Sequence, residues 1–237
     1  MSLHFAFLVL EEHPYGREML RILLENNLVP SMIIQEVSNV GDVEREKFLA
    51  RIAGQPVPLR LTQLISGRKI PVYCVSNHND DTCKELLAAD KPDVLVLGGT
   101  RIIKPKILDV PRQSTVNSHP GLLPWLRGSA SVGWALYKDL PQGATAHFVV
   151  PGIDIGDIIV SRQLPVYRRD SYESINYRIA ILAGELMAEG LTLITNGEAP
   201  HTPQDPNVGE TYKVIPDNLL EEGKQRLAES RYSHFAD

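Results

Sequence analysis

Residues 3–10, LHFAFLVL, are apolar at every position but His4. Consecutive apolar residues on extended backbone face both sides of a sheet, so such a run needs cover on both. The turn Glu11-Glu12-His13-Pro14-Tyr15-Gly16 follows, then Met19, Leu20, Leu23 and Leu24 at helical spacing, then a second strand-like run at 29–35. Strand, helix and strand in that order make a βαβ unit with parallel pairing. A dinucleotide fingerprint is excluded, because the turn lacks the required glycines.

The alternation continues along the chain. Residues 37–67 are polar and helical in pattern, broken at Gly54-Gln55-Pro56, which predicts two short helices. Strands are expected at 70–75, 93–97 and 114–117, a helix at 80–89 capped by Asn79, and one around 104–108. Ser129 is the expected cap of a helix over 130–137. Two β-rich runs, 144–150 and 158–166, read as a hairpin. A long helix spans 171–196 and stops at Gly197, and the Pro-rich stretch after it is a surface connection to an edge strand at 211–215 and a terminal helix at 216–230. The predicted fold is α/β: a Rossmann-like, mostly parallel sheet with helices on both faces, a β-hairpin carrying an aspartate loop, and a short C-terminal extension. The expected division is 1–197 and 198–237.

A net charge of −5 argues against a general nucleic-acid binder, which needs a basic face. Cys74 and Cys83 fit no metal-ligand spacing, so no metal is expected; Cys74, in the run IPVYCV, is read as a small core residue and Cys83 as a helix residue. No stretch of about eighteen apolar residues stands out and the N-terminus lacks a basic start, so neither a spanning helix nor a leader is expected, and the expected compartment is the cytoplasm.

The chemistry gathers between residues 115 and 157. Asn117 and His119 are two apart on a strand and therefore share a face, and Pro120-Gly121 ends that strand immediately. Ligands of open α/β sheets bind just beyond the carboxyl ends of strands. Asp154 lies in the turn-rich Pro151-Gly152-Ile153-Asp154-Ile155-Gly156-Asp157, at the tip of the expected hairpin. A carboxylate beside an imidazole raises its pKa and fixes its tautomer, and an amide, an imidazole and a carboxylate at one point can stabilise an oxyanion and move a proton. Singly each has an ordinary reading, as a turn cap or a satisfied partner. Thr145 and His147 alternate with Ala144 and Ala146 on the next strand, where His147 is expected to point away from the cleft.

Asn117-Ser118-His119-Pro120, Leu122-Leu123-Pro124, Arg127-Gly128, the run from Gly143 to Val149, and Ile153-Asp154-Ile155-Gly156 resemble, in order and spacing, the signature region of the folate-dependent formyltransferases. That group includes glycinamide ribonucleotide, methionyl-tRNA and sugar-nucleotide formyltransferases. The resemblance implies transfer of a formyl group from 10-formyltetrahydrofolate to an amine. Asn117 would donate to the oxyanion. His119, kept cationic by Asp154, would stabilise it and pass protons. Leu97, Gly98, Gly99, Thr100, Val150, Gly152 and Ile153 would line the folate site. Arg127, Thr145, His13 and Tyr15 are the implied acceptor contacts, His13 and Tyr15 being otherwise solvated turn residues. The Leu123-Pro124 bond, often cis in that family, is expected cis here.

Glycinamide ribonucleotide enzymes hold their substrate phosphate in a Gly-rich loop after the first strand; Glu11 and Glu12 in that turn set this alternative back. A dedicated tRNA reader normally has an added C-terminal domain, so a chain of this length is not expected to be one. The expected acceptor is a small amine, with an amino sugar nucleotide in view and homodimerisation left open. Two other classes compete: a 10-formyltetrahydrofolate hydrolase, and a folate- or nucleotide-binding module without turnover.

Overall fold

The structure is a computed structural model and describes residues 3–237. Among the described residues there are nine strands: β1 (Phe5–Leu10), β2 (Met32–Glu36), β3 (Val72–Val75), β4 (Val94–Leu97), β5 (Ser114–His119), β6 (Leu126–Gly128), β7 (Gly143–Phe148), β8 (Ile158–Gln163) and β9 (Glu210–Tyr212). Eight helices separate them: α1 (Pro14–Glu25), α2 (Asn39–Arg51), α3 (Leu61–Leu64), α4 (Asp81–Asp90), α5 (Pro105–Leu108), α6 (Ser131–Lys138), α7 (Tyr172–Asn196) and α8 (Asp217–Ala228). Seven strands form one sheet in the order β3-β2-β1-β4-β5-β7-β8, while β6 and β9 pair apart. The pairings from β3 across to β5 are parallel; β5–β7 and β7–β8 are antiparallel. The mostly parallel α/β sheet expected above is therefore present, with its hairpin at one edge.

β1 explains why both faces are covered. Phe5, Phe7 and Val9 pack with Met19 and Leu23 of α1 and with Ala183 and Leu186 of α7, whereas Ala6 and Leu8 pack with Cys83 and Leu87 of α4 and Ile107 of α5. Each large side chain removed from water in this way contributes about 1.5–3 kcal/mol. The chain leaves β1 toward β2 and returns on its other side as β4, so a crevice opens beyond the carboxyl ends of β1 and β4.

Several local expectations are corrected. α1 starts at Pro14 rather than Arg17, because a proline at the first helical position forfeits no hydrogen bond. Asp80, not Asn79, caps α4 by accepting from Cys83 N at 2.8 Å; Asn79 instead ties Ile102 O and Lys104 N to the sheet's carboxyl end. Ser129 does not cap α6, which begins after Ala130 in a left-handed conformation with no side-chain cap. Cys74 is exposed, since β3 is the edge strand and only its last residue is buried. The Leu123-Pro124 bond is cis, as expected. α7 is 25 residues long with a window of mean hydropathy 1.3, long and apolar enough for a membrane span by composition, contrary to expectation; 56% of that window is buried, and its apolar side packs on α1 and β7.

Two glycines set the crevice. A Cβ on Gly98 would lie 2.0 Å from the Phe7 ring, and one on Gly16 would lie 2.0 Å from Gly98 O. Their contact brings the start of α1 against the end of β4 and places His13 and Tyr15 beside Gly99. Gly16→Ala is expected to cost about 1–3 kcal/mol or more, since the neighbour is backbone and cannot swing away; an unchanged urea midpoint would show that the approach is not tight.

Candidate active site

β5 and β7 bring the polar residues together. Their antiparallel register sets Asn117 opposite His147 and His119 opposite Thr145, so all four lie on one face. Asn117 Nδ2 lies 3.3 Å from His147 Nε2, whose ring is fixed from behind by Nδ1 donating to Phe148 O at 2.8 Å. His147 thus belongs to the cluster, which corrects the expectation that it points away: strand pairing decides this, and no local pattern contains it.

Asp154 arrives from the loop between β7 and β8. Its backbone is left-handed, φ 52°, a conformation an aspartate tolerates better than most residues. One carboxylate oxygen accepts from Gly128 N at 2.9 Å and lies 3.3 Å from His119 Nδ1; the other lies 3.5 Å from His147 Nε2. Gly128 itself has φ 87°, and a Cβ there would strike Tyr212 O. Gln204 braces the loop by donating to Asp154 O at 2.9 Å and Gly156 O at 2.7 Å. Burial alone would lift the Asp154 carboxyl, but the two imidazoles and the Gly128 N–H outweigh it and hold the group well below the usual carboxylate range.

His119 is 3% exposed, and its Nε2 lies 2.7 Å from Leu126 O and 3.1 Å from Ser131 Oγ. Burial lowers its pKa below 6.5; Asp154 opposes this and His147 adds to it. The cationic ring expected beside Asp154 therefore meets an opposing influence, since burial, the largest one, favours the neutral form. Yet an acceptor faces each ring nitrogen, Asp154 on one side and Leu126 O on the other. The cradle is fully satisfied only when the ring carries both protons, which suits a group that takes up a proton during a reaction and releases it afterwards.

The cluster stands where two lobes of the crevice meet. The larger, about 520 Å³, is lined by Leu97, Thr100–Ile103, the Val149–Ile155 loop and Tyr212–Val214. The smaller, about 270 Å³, is lined by His13, Tyr15, Glu44, Phe48, Arg51, Ser118 and the start of α6. Asn117, Thr100, Gly128 and Ser129 border both. Of the expected folate contacts, Leu97, Thr100, Val150, Gly152 and Ile153 line the larger lobe. Gly99 borders the smaller one, and Gly98 borders neither, being held against Phe7 and Gly16.

The expected acceptor contacts divide. His13 and Tyr15 are buried at the smaller lobe, not solvated, and Tyr15 donates its hydroxyl to Ser118 O at 2.6 Å. Arg127 lines neither lobe; its guanidinium donates to the Asp205 and Val208 carbonyls and anchors the C-terminal connection. Thr145 is fully buried and holds the 121–123 turn, donating to Gly121 O at 2.9 Å and accepting from Leu123 N at 3.1 Å. Neither lines a lobe: Thr145 is spent on the turn, and Arg127 on the connection it anchors. Gln204, Ser131 and the Tyr212–Val214 segment were invisible locally, since each reaches the site only through packing.

The chain matches the family model described as formyl transferase over residues 4–191. A methionyl-tRNA formyltransferase of Moorella thermoacetica is 34% identical over 152 residues, 63% of this chain and 48% of the relative; the chain spans about half the length of such relatives. A sugar N-formyltransferase from a Shewanella species superposes with a TM-score of 0.66 at 13% identity, covering 96% of this chain and 88% of that one, a likeness of fold alone. A formyltransferase from Anoxybacillus kamchatkensis, solved with UDP-4,6-dideoxy-4-formamido-L-AltNAc and tetrahydrofolate, has a TM-score of 0.56 and 25% identity over 72% of this chain and 94% of that one.

Burial lowers the His13 pKa from 6.5 to about 4. The unfolded chain therefore binds the extra proton first as pH falls, so this contribution is present above pH 6.5 and is lost on the way down to about 4. The loss is on the order of 3 kcal/mol. In His13→Asn the fall in stability across that window should flatten, read by urea denaturation against pH; an identical slope would remove His13 as its source.

Proposed function

The chain belongs to the formyl transferase family, and on that premise we propose that it moves a formyl group from 10-formyltetrahydrofolate to the amine of a small acceptor. The observation that carries this is the position of Asn117 on the border of the two lobes, with His119 and Asp154 beside it in the larger one and 3.3 Å apart. The larger lobe suits a flat heterocycle: Ile102, Val150, Ile153, Ile155 and Val214 give it an apolar rim, and they are exposed as the molecule stands. The folate supplies the one-carbon unit. Asn117 donates an amide N–H to the carbonyl oxygen as it gains negative charge. His119 takes the proton that the attacking amine must lose and gives it to N10 of the folate as the bond from N10 to the formyl carbon breaks, and Asp154, ionised throughout, stabilises the imidazolium in between. His147 holds the Asn117 amide in place. The cytoplasm is the compartment proposed for this chemistry.

The smaller lobe favours a polar acceptor. Phe48 lies tilted against His13 and edge-on to Tyr15, with centroids at 5.3 and 5.8 Å, and Ser118, Asn176 and a neutral His13 supply uncharged hydrogen-bonding groups. In the acidic turn Glu12 is taken by Arg17 at 2.9 Å and Glu11 lies 4.0 Å from Arg45, and on α2 Glu44 is taken by Lys47 at 2.8 Å, while Arg51 brings positive charge to the lobe. An amino sugar bearing a phosphate, as in a sugar nucleotide, fits that mixture. A second acceptor, the aminoacyl end of a tRNA, is favoured by the names of the sequence relatives.

Incubation with 10-formyltetrahydrofolate and amino sugar nucleotides, glycinamide ribonucleotide or methionyl-tRNA, followed by folate absorbance and product mass, tests this. Loss of formyl groups only as formate would make the protein a hydrolase, and folate binding without loss would make it a binding module. Asn117→Ala is expected to lower kcat about 10²–10³-fold. Because His119 acts from its neutral form, the acid limb of kcat/KM should lie below pH 6.5, and Asp154→Asn, which removes a raising influence, should move it lower still. A limb at or above 6.5 would contradict the role given to the ring.

A further inference from the structure

A second polar cluster stands at the carboxyl edge of the sheet, outside the residues used so far. Glu36 ends β2 and is wholly buried. One of its oxygens accepts from Ser38 Oγ at 2.6 Å and from Arg101 through Nε at 2.9 Å and through Nη2. The other accepts from the backbone N–H of His78 at 2.8 Å. His78 is also wholly buried and bonds Ile34 O through Nε2 at 3.1 Å, with Nδ1 3.4 Å from Glu36 and no hydrogen-bond partner. Burial lowers the His78 pKa. Burial alone would lift the Glu36 carboxyl, but the bonds from Arg101, Ser38 and His78 hold it below its ordinary value. The buried carboxylate thus has one cation, Arg101.

Arg101 follows the Gly98-Gly99-Thr100 turn after β4 and lines the larger lobe, its side chain 24% exposed. Two of its nitrogens are spent on Glu36, which leaves Nη1 with no acceptor among the described residues. Its neighbour Ile102 is 74% exposed, so this part of the wall is the mouth of the lobe. An arginine clamped on one edge by a buried carboxylate has lost its freedom before any ligand arrives, and its remaining N–H groups face outward in a fixed plane.

We propose that Glu36 is a positioning residue for the formyl donor: it holds Arg101 at the mouth of the larger lobe, where the guanidinium takes a carboxylate of the donor's glutamate tail. This rests on the donor assignment above. Chemistry selects the tail, because its carboxylates are the only anionic groups on tetrahydrofolate. Glu36 itself touches neither ligand nor reacting atoms and acts through Arg101.

The test compares binding of tetrahydrofolate and of tetrahydropteroate, which lacks the glutamate, to the full chain by calorimetry. The wild type should bind the glutamate form the more tightly. Glu36→Gln keeps the shape and, with its one carbonyl oxygen toward His78 N–H, turns an NH2 toward Arg101; it should weaken tetrahydrofolate about tenfold, leave tetrahydropteroate within about twofold, and raise KM for the donor with little change in kcat. Arg101→Gln should abolish the discrimination. If Glu36→Gln melts early, Arg101→Lys, which keeps the charge and loses the fork, should reproduce the selective loss. Equal weakening of both ligands in these variants, or none, overturns the proposal and leaves a structural ion pair. Failure of the wild type to bind tetrahydrofolate would sink the donor assignment first and this inference with it.

Discussion

The site depends on one carboxylate. Asp154 is held on a left-handed backbone, ionised, between two imidazoles and the N–H of Gly128, and each of those partners comes from a different segment of chain. Removing an anion from water is expensive unless its lone pairs are met, so the surroundings must be assembled before the charge can sit there. They are: β5 brings His119, β7 brings His147, β6 brings Gly128, and the connection after α7 brings Gln204 to fix the loop's carbonyls.

The segment after α7 consequently matters to the crevice. Arg127 ties it down through two carbonyls, β9 pairs with β6 beside Gly128, and Tyr212, Lys213 and Val214 form one wall of the larger lobe. Trp134 of α6 stacks near Tyr212, with centroids 4.8 Å apart, and donates to Lys213 O at 2.9 Å. Strain and charge at the junction are balanced by groups dispersed over the chain, while the wide apolar rim stays open for something flat to cover.

Much of this was legible in the residues. The alternation of apolar runs with helical periods carried the element order, since burial imposes period 2 on a strand and 3.6 on a helix whatever the neighbours are. Asn117 and His119 shared a face for the same reason, and the likeness around them pointed to Asp154. What failed locally failed for identifiable causes. Cys74 looked buried because an edge strand can carry an interior strand's sequence. Arg127 and Thr145 looked like ligand contacts because a free donor and a donor committed to a carbonyl are the same letter. His13 looked solvated because a polar turn gives no sign that α2 will close over it.

By itself the sequence determined a mostly parallel α/β sheet with both faces covered and the place where its polar residues would gather, both from spacing along the chain, and its likeness to known motifs pointed to the family. Only the tertiary structure decided that His147 joins the cluster, that burial opposes the charge Asp154 favours on His119, that Glu36 clamps Arg101 at the larger lobe's mouth, and that residues far past α7 complete the crevice. Burial, register and hydrogen-bond partners are set by contacts between distant segments, and those contacts exist only once the chain has closed on itself.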